Sequence, residues 1–208
     1  MRARGGIVHE RTTVQGFEVR EGRIEAVVST RGRLRAREVV LALGAWSAPM
    51  GRQLGLRLPI QPGKGYSITY ARPRRAPAVP LVLKERSVCV TAWDSGYRLG
   101  STMEFSGYDS TLNAARLAAL QRGAAEYLEE AEGPVMQEQW YGWRPMTYDD
   151  LPIIGRSARL ANLTLATGHG MLGMSLAAIT AQLVADVIDG RAPRMDIGPL
   201  SARRFEVR

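Results

Sequence analysis

The sequence predicts a mixed α/β and α+β fold for a chain of 208 residues, and three stretches carry this prediction. Residues 12–43 alternate β-rich runs with residue–glycine turns, a pattern typical of a β-meander. Residues 56–105 are again rich in predicted strands, which indicates an inserted, mostly antiparallel sheet. Residues 163–190 combine an apolar strand, a glycine-rich loop and a long apolar helix, which is the pattern of an element that closes an α/β layer.

Composition favours one good-sized domain, or a domain with an added lobe, because 45% of the residues are hydrophobic. The net charge of +8 comes almost entirely from scattered arginines. One local run places Arg31, Arg33, Arg35 and Arg37 at alternate positions, so we expect them on one solvated face of a strand. No aromatic residues interleave with this run, so no nucleic-acid partner is expected, and a basic nucleic-acid-binding module is the weaker alternative.

Cysteine and histidine usage limits the chemistry. Cys89 is the only cysteine, which excludes a disulfide within the chain and a cysteine-based zinc site, and His9 and His169 alone make no histidine cluster. No metal site is therefore predicted. The first residues lack the apolar segment of a signal peptide, and the most apolar helix contains Thr180 and Gln182, so no membrane span is predicted and a cytoplasmic protein is expected.

The run Val39–Leu43 differs from the strands before it. It is continuously apolar, which predicts a strand buried on both faces. It leads into Gly-Ala-Trp-Ser, where Ser47 is predicted to be the N-cap of a short helix that reaches Leu54 and is closed by Gly55.

The inserted part contains two apolar runs in Leu56–Tyr70, on either side of a Pro-Gly-Lys-Gly segment. Lys64 and Tyr66 either reach a cavity or are a solvated loop lysine and an ordinary strand aromatic, and the residue types leave both interpretations open. A helix follows from Asn113, which is a suitable N-cap, to Ala131.

The aromatic strand Trp-Tyr-Gly-Trp at residues 140–143 delivers Arg144. A guanidinium pairs bidentately with a carboxylate, and aromatic walls lower the local dielectric and strengthen that pair. The alternative is a structural arginine that stacks on tryptophan or pairs with Asp149 or Asp150. Residue types alone do not separate the two.

The closing loop Gly-His-Gly-Met-Leu-Gly, residues 168–173, matches the letters of the dinucleotide pattern G-x-G-x-x-G. That fingerprint also needs a second strand ending in an acidic residue about 20 positions later. Here the helix ends at Asp189 and Gly190, and a proline-containing tail follows. We therefore predict a ligand-contacting loop rather than a phosphate loop, with a plain glycine-rich helix entry as the alternative.

Three motifs, in this order, resemble FAD-dependent oxidoreductases of the D-amino-acid oxidase/dehydrogenase family. VVLALGAWS is similar to the return strand of that family, WYGWRPMTYDDLPIIG to its signature W-x-G-x-R-P-x-T-x-D-x-x-P-x-x-G, and LATGHGMLGMSLAAITAQLVADVI to its closing strand and helix. The resemblance implies FAD as cofactor, with Arg144 holding the substrate carboxylate and Tyr66 as a further substrate-binding candidate. The implied flavin contacts are Gly44, Ala45, Trp46, Gly168, His169, Gly170, Met171, Leu172 and Gly173.

The resemblance also implies the C-terminal portion of a two-domain FAD-linked fold. Residues 1–55 would be a partial FAD-binding domain, residues 56–143 a substrate-binding domain, and residues 144–208 the return to the FAD-binding domain. Residues 1–38 contain nothing like the family's N-terminal G-x-G-x-x-G segment, which binds the ADP half of FAD. We therefore expect a truncated chain that relies on a missing N-terminal half or a partner chain.

The implied reaction is oxidation of a D-amino acid to an imino acid by hydride transfer to flavin, followed by hydrolysis to a 2-oxo acid. Backbone N–H groups of residues 170–173 and the helix dipole would stabilise negative charge on the flavin. His169 is either a ring-edge contact or a proton carrier. Glycine or sarcosine oxidase-like specificity is one alternative, and a non-catalytic remnant or a partner subunit that supplies only the substrate lobe is another. Some dehydrogenases of this type also associate peripherally with membranes.

Overall fold

The computed structural model describes residues 2–205, which form eleven strands, three α-helices and several short 3-10 turns. The chain divides into two compact units. The first unit combines the part of the chain up to Ile60 with the part from Pro145 onward, and the second is Gln61–Arg144. None of the helices in this described part is long and apolar enough to cross a membrane.

The first unit begins with a three-stranded antiparallel meander of β1 (Val14–Arg20), β2 (Arg23–Ser29) and β3 (Gly32–Leu34). The turn between β1 and β2 has positive φ at both Glu21 and Gly22, which matches the twist of a tight hairpin. The meander is confirmed for these three strands.

The arginine run does not form one strand face. Only Arg33 lies in β3, where it pairs with Glu18, and the four arginine side chains at positions 31, 33, 35 and 37 are all exposed. A strand of three residues is too short to carry an alternating run of seven.

The predicted fourth run of the meander belongs to a different sheet. β4 (Val39–Leu41) pairs in parallel with β11 (Leu163–Thr167), which pairs antiparallel with β10 (Ile153–Arg156). The prediction that this run is buried on both faces is wrong, because Val40 is 40% exposed and only Leu41 of the strand is buried. β4 is the edge strand of its sheet in the described chain, so it has a neighbour on one side only.

Asn162 joins the meander to this second sheet. Its side-chain oxygen accepts from the N–H of Ile24 at 2.8 Å, and its side-chain nitrogen donates to the carbonyl of Ile24 at 2.9 Å. A buried amide that is satisfied on both sides fixes the two sheets against each other.

Helix α1 (Ser47–Gln53) follows a 3-10 turn at Gly44–Trp46. The prediction of Ser47 as N-cap is wrong by one position, because Trp46 holds the cap and Ser47 is the first helical residue. The Ser47 hydroxyl instead accepts from the backbone N–H of Leu43 at 3.2 Å, so it closes the turn before the helix. Gly55 ends this segment with φ of 69°, as expected for a helix-terminating glycine.

The second unit is a five-stranded sheet in the order β6-β7-β8-β5-β9. Its strands are β5 (Gln61–Tyr70), β6 (Leu81–Leu83), β7 (Val88–Trp93), β8 (Gly96–Glu104) and β9 (Met136–Met146), whose end runs into the first unit. The predicted antiparallel sheet is confirmed for the pairs β5–β8, β6–β7 and β7–β8. The segment predicted as two runs around a loop is instead the single strand β5.

Helix α2 (Ala114–Ala125) covers one face of this sheet and packs Leu117 and Leu120 against Ile68 and Leu99. The Asn113 N-cap is confirmed, since its side chain accepts from two backbone N–H groups of the first turn. The helix ends six residues before the predicted Ala131. The last helix, α3 (Gly173–Ile188), follows β11 in the first unit, as predicted.

Candidate functional site

Two glycine-containing loops lie together in the first unit because β4 and β11 are parallel. Leu163 faces Val39 and Leu165 faces Leu41, so both strands end at the same edge of the sheet. One loop begins at Gly44 and the other at Gly168. Carboxyl ends of parallel strands are where α/β sheets hold ligands.

Thr167, the last residue of β11, ties the two loops together. Its hydroxyl lies 3.1 Å from the carbonyl oxygen of Gly44 and 2.8 Å from Oγ of Ser47. Gly44 and Gly168 both have positive φ, at 54° and 74°, which explains glycine at these two turns. The structure thus brings together residues predicted from stretches more than 120 positions apart.

The start of α3 leaves three backbone donors open. The amides of Gly173, Met174 and Ser175 have no acceptor among the described groups, and Leu172 caps the helix without a side-chain hydrogen bond. The helix dipole adds partial positive charge at the same place. An electron-rich group is therefore favoured at this helix end.

Not all of the amides expected to face a ligand are available. The N–H of Gly170 donates to the carbonyl of Pro145 at 3.1 Å, and the N–H of Leu172 donates to the carbonyl of His169 at 2.9 Å. The prediction that the whole stretch 170–173 offers its amides is therefore wrong for these two residues. The bond of Leu172 closes a turn inside the loop, and the bond of Gly170 joins the loop to the end of β9.

The loop surface is apolar and open. Trp46 is 50% exposed, Met171 is 68% exposed and Leu172 is 57% exposed. A Cβ at Gly44 would meet no atom within 4 Å. Open apolar side chains next to unpaired backbone donors fit a flat ring with one electron-rich edge, so the residues present are compatible with an isoalloxazine.

His169 links its loop to the body of α3. Its Nε2 lies 2.9 Å from Oγ1 of Thr180, about two turns into the helix on its buried face. Burial lowers the pKa of His169 from its ordinary value, which favours the neutral ring. A neutral, hydrogen-bonded imidazole positions the loop, and this geometry does not favour the proton-carrier alternative.

Two threonines of β11 provide a matched test of the loop tie. We expect Thr167→Val to lower the free energy of unfolding by about 1–3 kcal/mol, because it removes the hydroxyl that joins Gly44 and Ser47 and with it both of these hydrogen bonds. Thr164→Val should be neutral or stabilising, since the buried Thr164 hydroxyl has no partner in residues 2–205. Urea unfolding followed by circular dichroism measures both. Equal losses for the two variants would contradict the tie.

In the second unit, Arg144 lies flat across the backbone of β5. A Cβ at Gly65 would overlap with the guanidinium, so glycine at this position leaves the room that the Arg144 side chain occupies. Nη1 donates to the carbonyl of Thr102 at 3.3 Å. Burial lowers the pKa of Arg144, although an arginine remains charged.

Arg144 has no carboxylate partner within 4 Å in the described part of the chain. Asp149, one of the candidate partners, pairs instead with Arg204 at 2.7 Å. A half-buried guanidinium with one long hydrogen bond retains most of its donors for a ligand. The geometry therefore favours the ligand-binding interpretation over a structural arginine.

The acceptor of Arg144 sits in a strained segment of β8. Ser101 and Thr102 have φ of 119° and 52°, and the register between β5 and β8 shifts at this point. Positive φ is costly for a β-branched residue, and such strain gathers at functional sites. The bulge also lets the Thr102 hydroxyl accept from Arg116 at 3.1 Å.

Tyr66 is among the residues that line the same cavity as Arg144, but its side chain packs on the other face of β5. Side chains alternate along β5, so Tyr66 lies on the face opposite to Gly65 and is 2% exposed in the core beneath α2. Its hydroxyl donates to Glu104 at 3.1 Å, and burial is the main cause that raises the pKa of this phenol. We therefore leave Tyr66 out of the candidate substrate site.

Lys64 is neither a solvated loop lysine nor a cavity residue. It is fully buried and pairs with Asp109 at 3.0 Å, and its Nζ also donates to the carbonyl of Thr111. Burial acts to lower its pKa, but the hydrogen bonds to Asp109 and Tyr66 outweigh burial, so the pKa of Lys64 is raised. The lysine holds the segment before α2 against the sheet.

The fold is shared with solved flavoenzymes. The glycine oxidase from Geobacillus kaustophilus superposes with a TM-score of 0.84 at 27% identity, over 96% of this chain and 54% of that one. The L-proline dehydrogenase from P. horikoshii superposes with a TM-score of 0.79 at 22% identity, over 94% and 54% of the two chains. The chain therefore has the fold of these flavoenzymes.

Residues 1–187 match the family described as DAO, FAD dependent oxidoreductase, and the chain belongs to this family. The D-amino acid dehydrogenase from Cereibacter sphaeroides is 37% identical over 196 residues, which cover 93% of this chain and 45% of that protein. The D-amino acid dehydrogenase from Agrobacterium fabrum is 39% identical over 189 residues, covering 90% and 45%. The chain therefore spans about half the length of the curated relatives it matches.

Proposed function

We propose that this chain forms the substrate-binding and flavin-contacting part of an FAD-dependent oxidoreductase that oxidises the C–N bond of a D-amino acid to an imino acid. The observation that carries the proposal is the pairing of the two glycine loops, with the unpaired amides of α3 beside them. Membership of the family and D-amino acid dehydrogenase relatives at 37–39% identity support it.

Arg144 would bind the substrate by its carboxylate. Its guanidinium packs on the backbone of Gly65 and donates to the carbonyl of Thr102, and its other N–H groups remain available for a ligand. Holding the carboxylate in one orientation would raise the rate of oxidation by positioning the substrate. The low-dielectric surroundings would strengthen the ion pair between Arg144 and the carboxylate.

The first unit would hold the flavin ring. Trp46, Met171 and Leu172 offer apolar contact, and the amides of Gly173, Met174 and Ser175 donate to negative charge at the ring edge. When bound, FAD supplies the hydride acceptor of the reaction. The imino product then hydrolyses in water to a 2-oxo acid and ammonia without help from this chain.

Glycine oxidase-like specificity is the second candidate. It is supported by the likeness to the glycine oxidase from Geobacillus kaustophilus at 27% identity. A non-catalytic subunit that supplies only the substrate lobe is the third, and it predicts a colourless protein.

We also propose that a dinucleotide-binding segment completes the first unit as a partner. β4 is an edge strand, so its outer backbone groups can pair with a further strand. Met174 is 91% exposed at the start of α3, which adds apolar surface for a partner to cover.

Flavin retention tests the proposal in a matched pair of glycine variants. The chain would be co-expressed with the part of the Agrobacterium fabrum relative that it does not match, and bound flavin would be read from visible absorbance after gel filtration. Gly170→Ala and Gly190→Ala both place a Cβ on a residue with positive φ, at 53° and 68°. We expect only Gly170→Ala to lose flavin, because Gly190 lies at the far end of α3. A colourless unsubstituted complex would refute flavin binding.

A further inference from the structure

The second unit contains a cavity of about 350 Å³ on the face of the sheet that carries Arg144. This volume lies within the usual range of small-ligand sites. Gly65, Ser67 and Gly100 contribute to its floor, and Trp140 and Trp143 contribute to its walls.

The floor is made of very small residues. Ser67 pairs with Gly100 on the neighbouring strand, and a Cβ at Gly142 would overlap with the ring of Trp140. Glycine weakens a strand interior and is kept where something must approach the backbone closely. Arg144 covers Gly65 and the ring of Trp140 covers Gly142, whereas a Cβ at Gly100 would meet nothing closer than 3.7 Å. The floor is therefore open to a ligand at Ser67 and Gly100.

An arginine lies at each end of this floor. Arg144 crosses Gly65 at one end. At the other end, Arg98 is paired in register with Thr69, and its Nε donates to Oγ1 of Thr69 at 2.9 Å. The distance between Gly65 and Thr69 along an extended strand is roughly 13 Å.

Ser67 lies between the two arginines. It is 6% exposed, and its hydroxyl has no hydrogen-bond partner within the described chain. A buried hydroxyl that has no partner beside a cavity indicates that a polar ligand or a water forms the missing hydrogen bond.

We propose that this cavity holds the side chain of the substrate, that Arg98 binds an acidic group at its end, and that dicarboxylic amino acids of glutamate length are the preferred substrates. This inference rests on the proposed role of Arg144 as the carboxylate anchor. A bidentate arginine–carboxylate pair separates the two central carbons by about 4 Å. When each arginine binds one carboxylate in this way, about 4 Å of the distance between Gly65 and Thr69 is taken up at each end. Roughly 5 Å then remains between the two carboxylate carbons, which is their separation in an extended five-carbon diacid.

Glu138 affects how tightly Arg98 binds a ligand carboxylate. Its carboxylate lies 3.3 Å from Arg98, and both side chains are about half exposed. An exposed pair of this kind contributes little and exchanges readily for a ligand carboxylate. Glu138 thus competes with the ligand for the same guanidinium.

Isothermal titration calorimetry on the 208-residue chain tests the inference without flavin. The probes are glutarate and valerate, which have the same carbon chain and cannot be oxidised at a C–N bond. We expect glutarate to bind at least tenfold more tightly than valerate. Arg98→Gln should remove this difference and leave valerate unchanged, whereas Glu138→Gln should tighten glutarate severalfold. Arg122→Gln, on the exposed side of α2, is the matched control.

The outcomes separate the inference from the proposed function. Arg144→Gln should weaken both acids. If it does so while Arg98→Gln leaves the glutarate preference intact, the acidic-substrate inference is overturned and the anchor stands. If Arg144→Gln changes neither acid, the anchor itself fails. Loss of glutarate binding in Glu138→Gln would also overturn the inference, because removing a competitor cannot weaken the ligand.

Discussion

Replacing Arg144 by alanine is expected to raise KM for the amino-acid substrate about a hundredfold in the flavin-loaded protein, which corresponds to about 3 kcal/mol for a lost buried charge pair. The flavin absorbance spectrum should stay close to that of the unsubstituted protein, because this arginine is assigned to the substrate. Its one described hydrogen bond, at 3.3 Å to Thr102, makes only a small contribution to folding.

Two controls accompany this variant. Arg122→Ala removes the same charge from an exposed position on α2 and should leave KM unchanged. Millimolar guanidinium chloride should partly restore activity to Arg144→Ala, because the truncated side chain leaves a space of guanidinium shape above Gly65. An unchanged KM in Arg144→Ala would refute the carboxylate role.

Adding one methyl group at Gly65 is expected to reproduce much of this loss while every charge remains. The new Cβ overlaps with the guanidinium of Arg144, so the arginine must move by more than an ångström or the strand must shift. A displacement of this size costs on the order of a hundredfold in kcat/KM, and overpacking lowers the free energy of unfolding by about 1–3 kcal/mol.

Gly100→Ala is the matched control for this prediction. A Cβ there would lie 3.7 Å from Cβ of Ser67, an ordinary contact that leaves Arg144 in place, so the free energy of unfolding should change little. The double variant Gly65→Ala with Arg144→Ala gives a further check. Once the guanidinium is gone the methyl has nothing to displace, so the two effects on kcat/KM should be strongly non-additive. Additive losses would show that Gly65 acts independently of Arg144.

Local signals in the sequence predicted the elements that depend on neighbouring residues. The tight turn at Glu21 and Gly22, the Asn113 cap and the strand–loop–helix ending in α3 all follow from residues within a few positions of each other. Backbone conformation and capping are decided at that range, so a single sequence is informative about them.

Features that depend on distant packing were not predicted. The pairing of β4 with β11 is set by partners more than 120 residues away, and so is the bond from Thr167 to Gly44. Gly65 looked like part of a loop, and only the path of Arg144 explains it. The residue types left the places of Tyr66 and Lys64 open for a related reason, since the burial of a strand residue depends on which face the helix covers.

The burial of Lys64 has a practical consequence for chemical labelling. The chain contains two lysines, and Lys84 is exposed whereas Lys64 is sealed beneath Asp109 and Thr111. Acylation requires an accessible, uncharged amine, and Lys64 is neither accessible nor readily deprotonated. Amine-reactive dyes therefore react with Lys84 in preference to Lys64. The rate of any slow reaction at Lys64 measures how often the segment that covers it opens.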